Sequence, residues 1–291
     1  MRSFRFPALL AALLFWAATA AHAGGKSWLD HWRESTVALG VARREGGKQI
    51  FAAVATGVIV GSVPGQKRPW LVTAKHVFYN PAENWEPSYI LVRFSWFETR
   101  TVGDYLGVAV PLKQNGRRTW VAHPDPDVDL AYVPLSVTPQ EAGRSELQAI
   151  VLSQFAAPAE VYEAAPVLVL GYPAAVGAGF QVRALLRQGV IAWVSPDRPA
   201  AKPFLIDANI FPGNSGGPVL YLPQGIDPQG HVLTGGSVKF LGLVSQTRTQ
   251  STLIATSKSQ PEQSVPLNFL GIGVIEPAQR VRELVLTPPP E

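Results

Sequence analysis

Apolar runs in this chain are short and are repeatedly cut by glycine, proline and small polar residues. TVALGVAR (36–43), WLVT (70–73), LAYV (130–133), APVLVLGYP (165–173) and KPFLIDANI (202–210) all lie between such breaks. Runs of this length suit strands, because a strand crosses a core in about five residues while a helix needs ten or more. With 26 glycines, 26 prolines and only 16% charged residues, the composition fits a turn-rich β protein better than a helical bundle. About a dozen strands can be read at turn-separated spacing, closed by one helix, and the pattern predicts two antiparallel β-barrels or sandwiches. Strands do not alternate with helical segments, which excludes a doubly wound α/β sheet, and no internal repeat is present. At 291 residues with 47% hydrophobic content, the chain can build one large core or two small ones.

Residues 1–23, MRSFRFPALLAALLFWAATAAHA, join Arg2 and Arg5 to an apolar run from Ala8 to Ala21 and a small-x-small site, Ala21-His22-Ala23. That is the layout of a secretory signal peptide cleaved after Ala23, and the run is short for a membrane span of about 20 residues. The expectation is a secreted or periplasmic protein with no membrane span after cleavage. Losing Arg2 and Arg5, with no acid among residues 1–23, would lower the formal charge from +4 to +2. So weak and dispersed a charge points away from nucleic acid. The absence of cysteine excludes disulfides and thiolate metal sites, and nothing in the sequence calls for a metal or other cofactor.

Locally, KSWLDHWRE (26–34) predicts a short amphipathic helix with Trp28, Leu29 and Trp32 on one side. QIFAAVATGVIVGS (49–62) reads as strand, glycine, strand, and SYILVRFSWFE (88–98) as a half-buried strand. VAVPLKQNGRRTWVAH (108–123) predicts a hairpin about Asn115-Gly116. Residues 136–160 read as a crossover with a helical turn or two within 145–154, and VRALLRQGVIAWVS (182–195) as two strands joined at Arg187-Gln188-Gly189. A long hairpin is expected over 218–247 around Asp227-Pro228-Gln229-Gly230, then a mobile polar loop at 245–266. NFLGIGVIEPAQRVRELVL (268–286) predicts a last strand and a helix starting near Pro277.

The segment with chemical content is Gly213-Asn214-Ser215-Gly216-Gly217-Pro218, set between the apolar runs FLI and VLYL. Glycines allow a turn that aims successive N–H groups at one point, and a hydroxyl beside them is what acyl transfer needs. On its own this is also the composition of a plain hairpin turn. His76 ends the WLVT strand, where a lone histidine is usually a hydrogen-bonded core residue. Asp129 is the last of three aspartates before LAYV, in a Pro-rich stretch where turn acids are common. Together the three have the ingredients of a nucleophile, a base and an orienting acid.

In that order, the motifs TAKHV (73–77), DLAYV (129–133) and GNSGGP (213–218) resemble those of the trypsin-like serine peptidases, and most of all the bacterial Deg/HtrA-type branch. ATGVIV, LGYP, RQGVIAWVS and LGIGVIEPAQRVREL extend the resemblance from about residue 54 to residue 285. It implies an all-β fold of two antiparallel six-stranded β-barrels with a short C-terminal helix. Residues 24–155 would form the barrel carrying His76 and Asp129, and residues 156–291 the barrel carrying Ser215. It also implies a serine endopeptidase acting on polypeptide substrates, exported if residues 1–23 act as read above; the branch usually carries a PDZ domain, and here the chain departs from it and is expected to lack one. Catalytic roles fall to Ser215, His76 and Asp129, and the oxyanion hole to the N–H groups of Gly213 and Ser215. The substrate pocket falls to Asn209, Ile210, Ser245 and Thr247, with a neutral Asn209 and branched Thr247 favouring small or medium apolar side chains. The His76 ring is expected within hydrogen-bond reach of Ser215 Oγ, with Asp129 on its other nitrogen. A rival reading keeps the fold but gives a catalytically silent scaffold that binds protein. An α/β acyl hydrolase is excluded because its order runs serine, acid, histidine.

Overall fold

The computed structural model describes residues 27–61, 68–95, 105–137, 147–176, 183–197, 201–251 and 267–288. The expected signal segment, and most of the expected loop over 245–266, lie outside the described residues.

Helix α1 (Trp28–Glu34) starts at Ser27, whose side chain accepts from the Leu29 N–H while Asp30 reaches back to the Ser27 N–H. Trp32 is buried but Trp28 is 54% exposed, so the aromatic face is narrower than the sequence implied. Strands β1 (Thr36–Glu45) and β2 (Lys48–Gly61) then form a long antiparallel pair. β2 runs unbroken through Gly57, where a Cβ would lie 2.7 Å from Leu71 Cδ1: this glycine serves close packing and is no break.

β3 (Trp70–Thr73), β4 (Tyr89–Ser95), β5 (Tyr105–Pro111), β8 (Val121–Ala122) and β9 (Ala131–Pro134) complete the first sheet in the order β5-β4-β1-β2-β3-β9-β8. This sheet is a half-barrel. The expected 108–123 hairpin is divided. Only β6 (Lys113–Gln114) and β7 (Arg117–Arg118) pair about Asn115-Gly116, because β5 takes β4 as its partner and β8 takes β9. Of the stretch 145–154, where a helical turn or two is expected, residues 147–154 are described: β10 (Ile150–Val151) runs parallel to β2 and one 3₁₀ turn follows over Leu152–Gln154.

The second sheet is a closed six-stranded barrel. It runs β11 (Pro166–Gly171), β12 (Leu185–Trp193), β13 (Phe204–Asp207), β18 (Leu267–Pro277), β17 (Lys239–Ser251) and β14 (Pro218–Tyr221). β12 is one strand, not two, since a Cβ at Gly189 would fall on the Asp207 carbonyl of β13. The turn over Asp227–Gly230 forms, but its strands β15 (Gln224–Ile226) and β16 (Val232–Thr234) make a separate ribbon off the barrel. Residues 245–251, expected in a loop, extend β17 against β18. Helix α3 (Ala278–Leu286) follows Pro277 as expected.

The strands facing the middle of the molecule are buried on both sides. Along β3, Leu71 points into the first half-barrel while Trp70 and Val72 point toward the second. Along β11, Val167 and Val169 fill the second barrel while Leu168 and Leu170 face the first. Successive side chains alternate across a strand, so a strand buried on both faces must be apolar throughout. Val281, Leu284 and Val285 of α3 seal the shared layer. Among the described residues, no helix is long and apolar enough to cross a membrane.

Candidate active site

The site forms where the two sheets meet. β3 and β9 pair antiparallel with Thr73 opposite Ala131, so the residues just after β3 and just before β9 emerge at one edge. Helix α2 (Lys75–Phe78) begins there, and the Lys75 N–H donates to the Asp129 carbonyl at 3.1 Å. Lys75 Nζ donates to the Pro126 carbonyl at 2.7 Å, tying this helix to the acidic loop. The result is a two-point grip of Asp129 on His76. Its Oδ1 accepts from the His76 backbone N–H at 3.0 Å, and its Oδ2 lies 2.7 Å from His76 Nδ1. The His76 side chain keeps 35% of its surface open and that of Asp129 15%. Asp127 is exposed and turns its N–H to Asp125, so it plays no part in this grip.

The serine loop comes from the other sheet, between β13 and β14. Its glycines are dictated by close approach. Gly213 has φ +94° and lies so near the segment just after β11 that a Cβ would sit 2.6 Å from the Tyr172 carbonyl oxygen. Gly216 has φ +79°, and a Cβ there would fall on the Thr56 carbonyl and the Thr73 hydroxyl. Thr56 of β2, buried, is the hub that fixes this loop. Its N–H donates to the Ser215 carbonyl at 2.8 Å and its hydroxyl to the Gly213 carbonyl at 2.7 Å. The same hydroxyl accepts from the Tyr172 N–H at 3.0 Å, while Thr73 Oγ1 donates to the Thr56 carbonyl at 2.7 Å. On the far side, the Gly216 N–H donates to the Val244 carbonyl at 2.6 Å. The Asn214 N–H is used by Phe211, whereas the N–H groups of Gly213 and Ser215 have no acceptor among the described residues.

Ser215 and the His76–Asp129 pair meet on a single residue of β17. Ser245 donates its hydroxyl to Asp129 Oδ2 at 2.8 Å, and its carbonyl accepts from Ser215 Oγ at 3.4 Å. The expected hydrogen bond between the His76 ring and Ser215 Oγ is therefore absent: the hydroxyl is turned toward Ser245. Among the described residues, Ser215 and the ring are linked only through Ser245 and Asp129.

The four expected pocket residues have different fates. Ser245 is 2% exposed and serves Asp129 with its side chain, so it offers substrate no hydroxyl. Ile210 is 1% exposed and packs in the core of the second barrel, so it is no open apolar wall. Asn209 is exposed in a left-handed turn with φ +52°. Thr247 donates from Oγ1 to the Ile210 carbonyl at 3.0 Å, bridging β17 to the segment before the serine.

Three residues were not anticipated. Thr56 lies in ATGVIV, where a threonine within an apolar strand was the only signal. Arg187 of β12 donates to the Asn209 carbonyl and stacks 4.8 Å over the Phe211 ring, bracing the serine segment from behind. Glu276, the last acid of β18, is 4% exposed and accepts from the Asp129 N–H through Oε1 at 3.3 Å. Burial pushes its carboxyl up to about 6; the Asp129 N–H opposes this, the Asp129 charge adds to it, Arg280 opposes it and Asp125 adds again.

A family model described as a trypsin-like peptidase domain matches residues 55–225, a span that contains His76, Asp129 and Ser215. No curated protein matches the chain.

Proposed function

This chain belongs to the family of trypsin-like peptidase domains, which are serine-protease hydrolases, and we propose that it is an exported serine endopeptidase working through Ser215, His76 and Asp129. The observation that carries this reading is the convergence on Ser245, which holds the Asp129 carboxylate with its hydroxyl and the Ser215 hydroxyl with its carbonyl. Rotation about the Ser215 Cα–Cβ bond, between staggered wells, releases the hydroxyl from Ser245 toward the ring. Ser215 Oγ then attacks the substrate carbonyl carbon as His76 Nε2 takes its proton. Asp129, already on Nδ1, fixes the tautomer that leaves Nε2 free to accept and stabilises the imidazolium that follows. The open N–H groups of Gly213 and Ser215 are the donors for the oxyanion. His76 returns the proton to the leaving amine, and water releases the acyl group by the same steps.

Small or medium apolar side chains would be favoured at the cleaved position. The Thr247 bridge to Ile210 shortens the space there, and neutral Asn209 offers no partner for a buried cation. Residues 1–23 would be removed on export.

The serine hydroxyl bound away from the ring favours a second reading, a silent scaffold that binds protein. A fluorophosphonate probe separates the two: labelling of the wild type and none of Ser215→Ala is expected for a peptidase, and equal absence of label in both for a scaffold.

A further inference from the structure

On the backbone N–H of Asp129 stands a carboxyl group that the mechanism above does not use. Glu276 closes β18 and is almost fully buried, with Oε1 on the Asp129 N–H at 3.3 Å and Oε2 without a hydrogen-bond partner among the described residues. A buried carboxylate is ordinarily paired with a cation or fully hydrogen-bonded. The cation whose charge acts on it is Arg280 of α3, but its Nη1 donates to Asp125 Oδ2 at 3.0 Å and its Nε to the Ala201 carbonyl at 2.8 Å. The charged groups facing Glu276 are therefore Asp129 and Asp125 from the loop before β9, Arg280 from α3, and His76 beyond Asp129. From β17 the contribution to this cluster is the neutral hydroxyl of Ser245. A chain that needed only an acceptor for one N–H could use a neutral side chain here.

We propose that Glu276 is a positioning residue that couples the site to pH: neutral, it holds the Asp129 backbone, and ionised, it places a second negative charge beside Asp129 that favours the positive ring formed when His76 takes the serine proton. The proton concerned goes from Ser215 to His76 and never to Glu276, which acts through Asp129. The inference rests on the peptidase reading. Because burial holds this carboxyl up to about 6, its charge switches on in a range that spans mildly acidic and neutral conditions. Reaction with the serine is then reinforced as pH rises through that range, in addition to the release of the ring's own proton.

The test compares the full chain with Glu276→Gln, which keeps an acceptor for the Asp129 N–H but carries no charge. The second-order rate of labelling by a fluorophosphonate is followed from pH 4.5 to 8.5, with thermal unfolding run in parallel to show that each protein is folded. The ratio of wild-type to variant rate is expected near one at the acid end and to climb to about three- to tenfold at the alkaline end. Glu276→Leu, of similar size, is expected to give the same climb if charge is the cause, whatever constant factor lost packing adds. A ratio independent of pH for both variants overturns the inference, even if labelling is slower throughout, because that is what a structural role alone produces. Wild type that fails to label at every pH defeats the peptidase reading and this inference with it; wild type that labels with a flat ratio defeats the inference alone.

Discussion

Replacing Thr56 by valine exchanges one hydroxyl for a methyl of nearly the same shape, at a fully buried position in a strand where valine is at home. The hydroxyl makes two hydrogen bonds, donating to the Gly213 carbonyl at 2.7 Å and accepting from the Tyr172 N–H at 3.0 Å. Valine leaves both backbone groups buried without their partner. Each such group costs about 1–3 kcal/mol, so the change should destabilise the fold by about 3–4 kcal/mol in all. The Thr56 main-chain bonds to Ser215 and Thr73 remain, so the fold is weakened at one point and the Gly213 peptide is freed. Urea unfolding followed by tryptophan fluorescence reads this as a lowered midpoint at constant slope. Thr56→Ser is the control: it keeps both bonds and loses a methyl worth about 1 kcal/mol. If the valine variant lies within about 1 kcal/mol of wild type, or no further down than the serine variant, the hub role assigned to the hydroxyl is wrong.

Three further outcomes are expected. Glu276 should weaken the fold as pH rises: its folded value of about 6 lies above the ordinary 4.5. The native state therefore holds the extra proton across that window, and stability is lost from pH 4.5 to 6 and beyond by about 2 kcal/mol. Denaturant titrations at pH 4.5 and 7 should show this decline in wild type and not in Glu276→Gln. Asp129→Asn should lower fluorophosphonate labelling on the order of 10⁴-fold, the loss that follows when a triad acid can no longer hold the histidine tautomer; a loss under tenfold would remove Asp129 from the proposed triad. Gly216→Ala should cost more than about 3 kcal/mol or abolish folding, since its Cβ collides with Thr56 and Thr73. Gly47→Ala, at φ +78° but in open space, should cost only about 1 kcal/mol; equal melting temperatures for the two would contradict the close approach described.

The sequence made some elements plain because their causes are local. WLVT became β3 with the bounds read, and Asn115-Gly116 turned as its left-handed pair requires. Gly189 was misread because a glycine that opens a turn and one that admits a neighbouring backbone are spelled alike; only the position of Asp207 decides. Residues 113–118 form a hairpin too short to hold its flanks because β4 and β9 compete for them, a contest between distant segments. At the site, the order His76, Asp129, Ser215 and the local motifs were legible. The direction of the Ser215 hydroxyl, the burial of Ile210 and the service of Ser245 to Asp129 depend on how two sheets meet. Glu276 gave no more signal than a single acid closing an apolar strand, since its meaning comes from a loop far away in sequence.

The shared layer between the sheets makes the two halves mutually dependent as separate polypeptides. A cut at residue 155 would leave Val58, Val72, Leu130 and Tyr132 of the first fragment facing water, and Leu168, Leu170, Leu220 and Leu243 of the second. Neither fragment alone can cover that surface, so each would be sticky and poorly folded, and the two would recognise one another by the stripe they had lost. His76 and Asp129 would travel with one piece and Ser215 with the other. Co-expressed from two genes, the fragments are expected to form a complementation pair, in which Ser215 meets His76 only when the two pieces find each other.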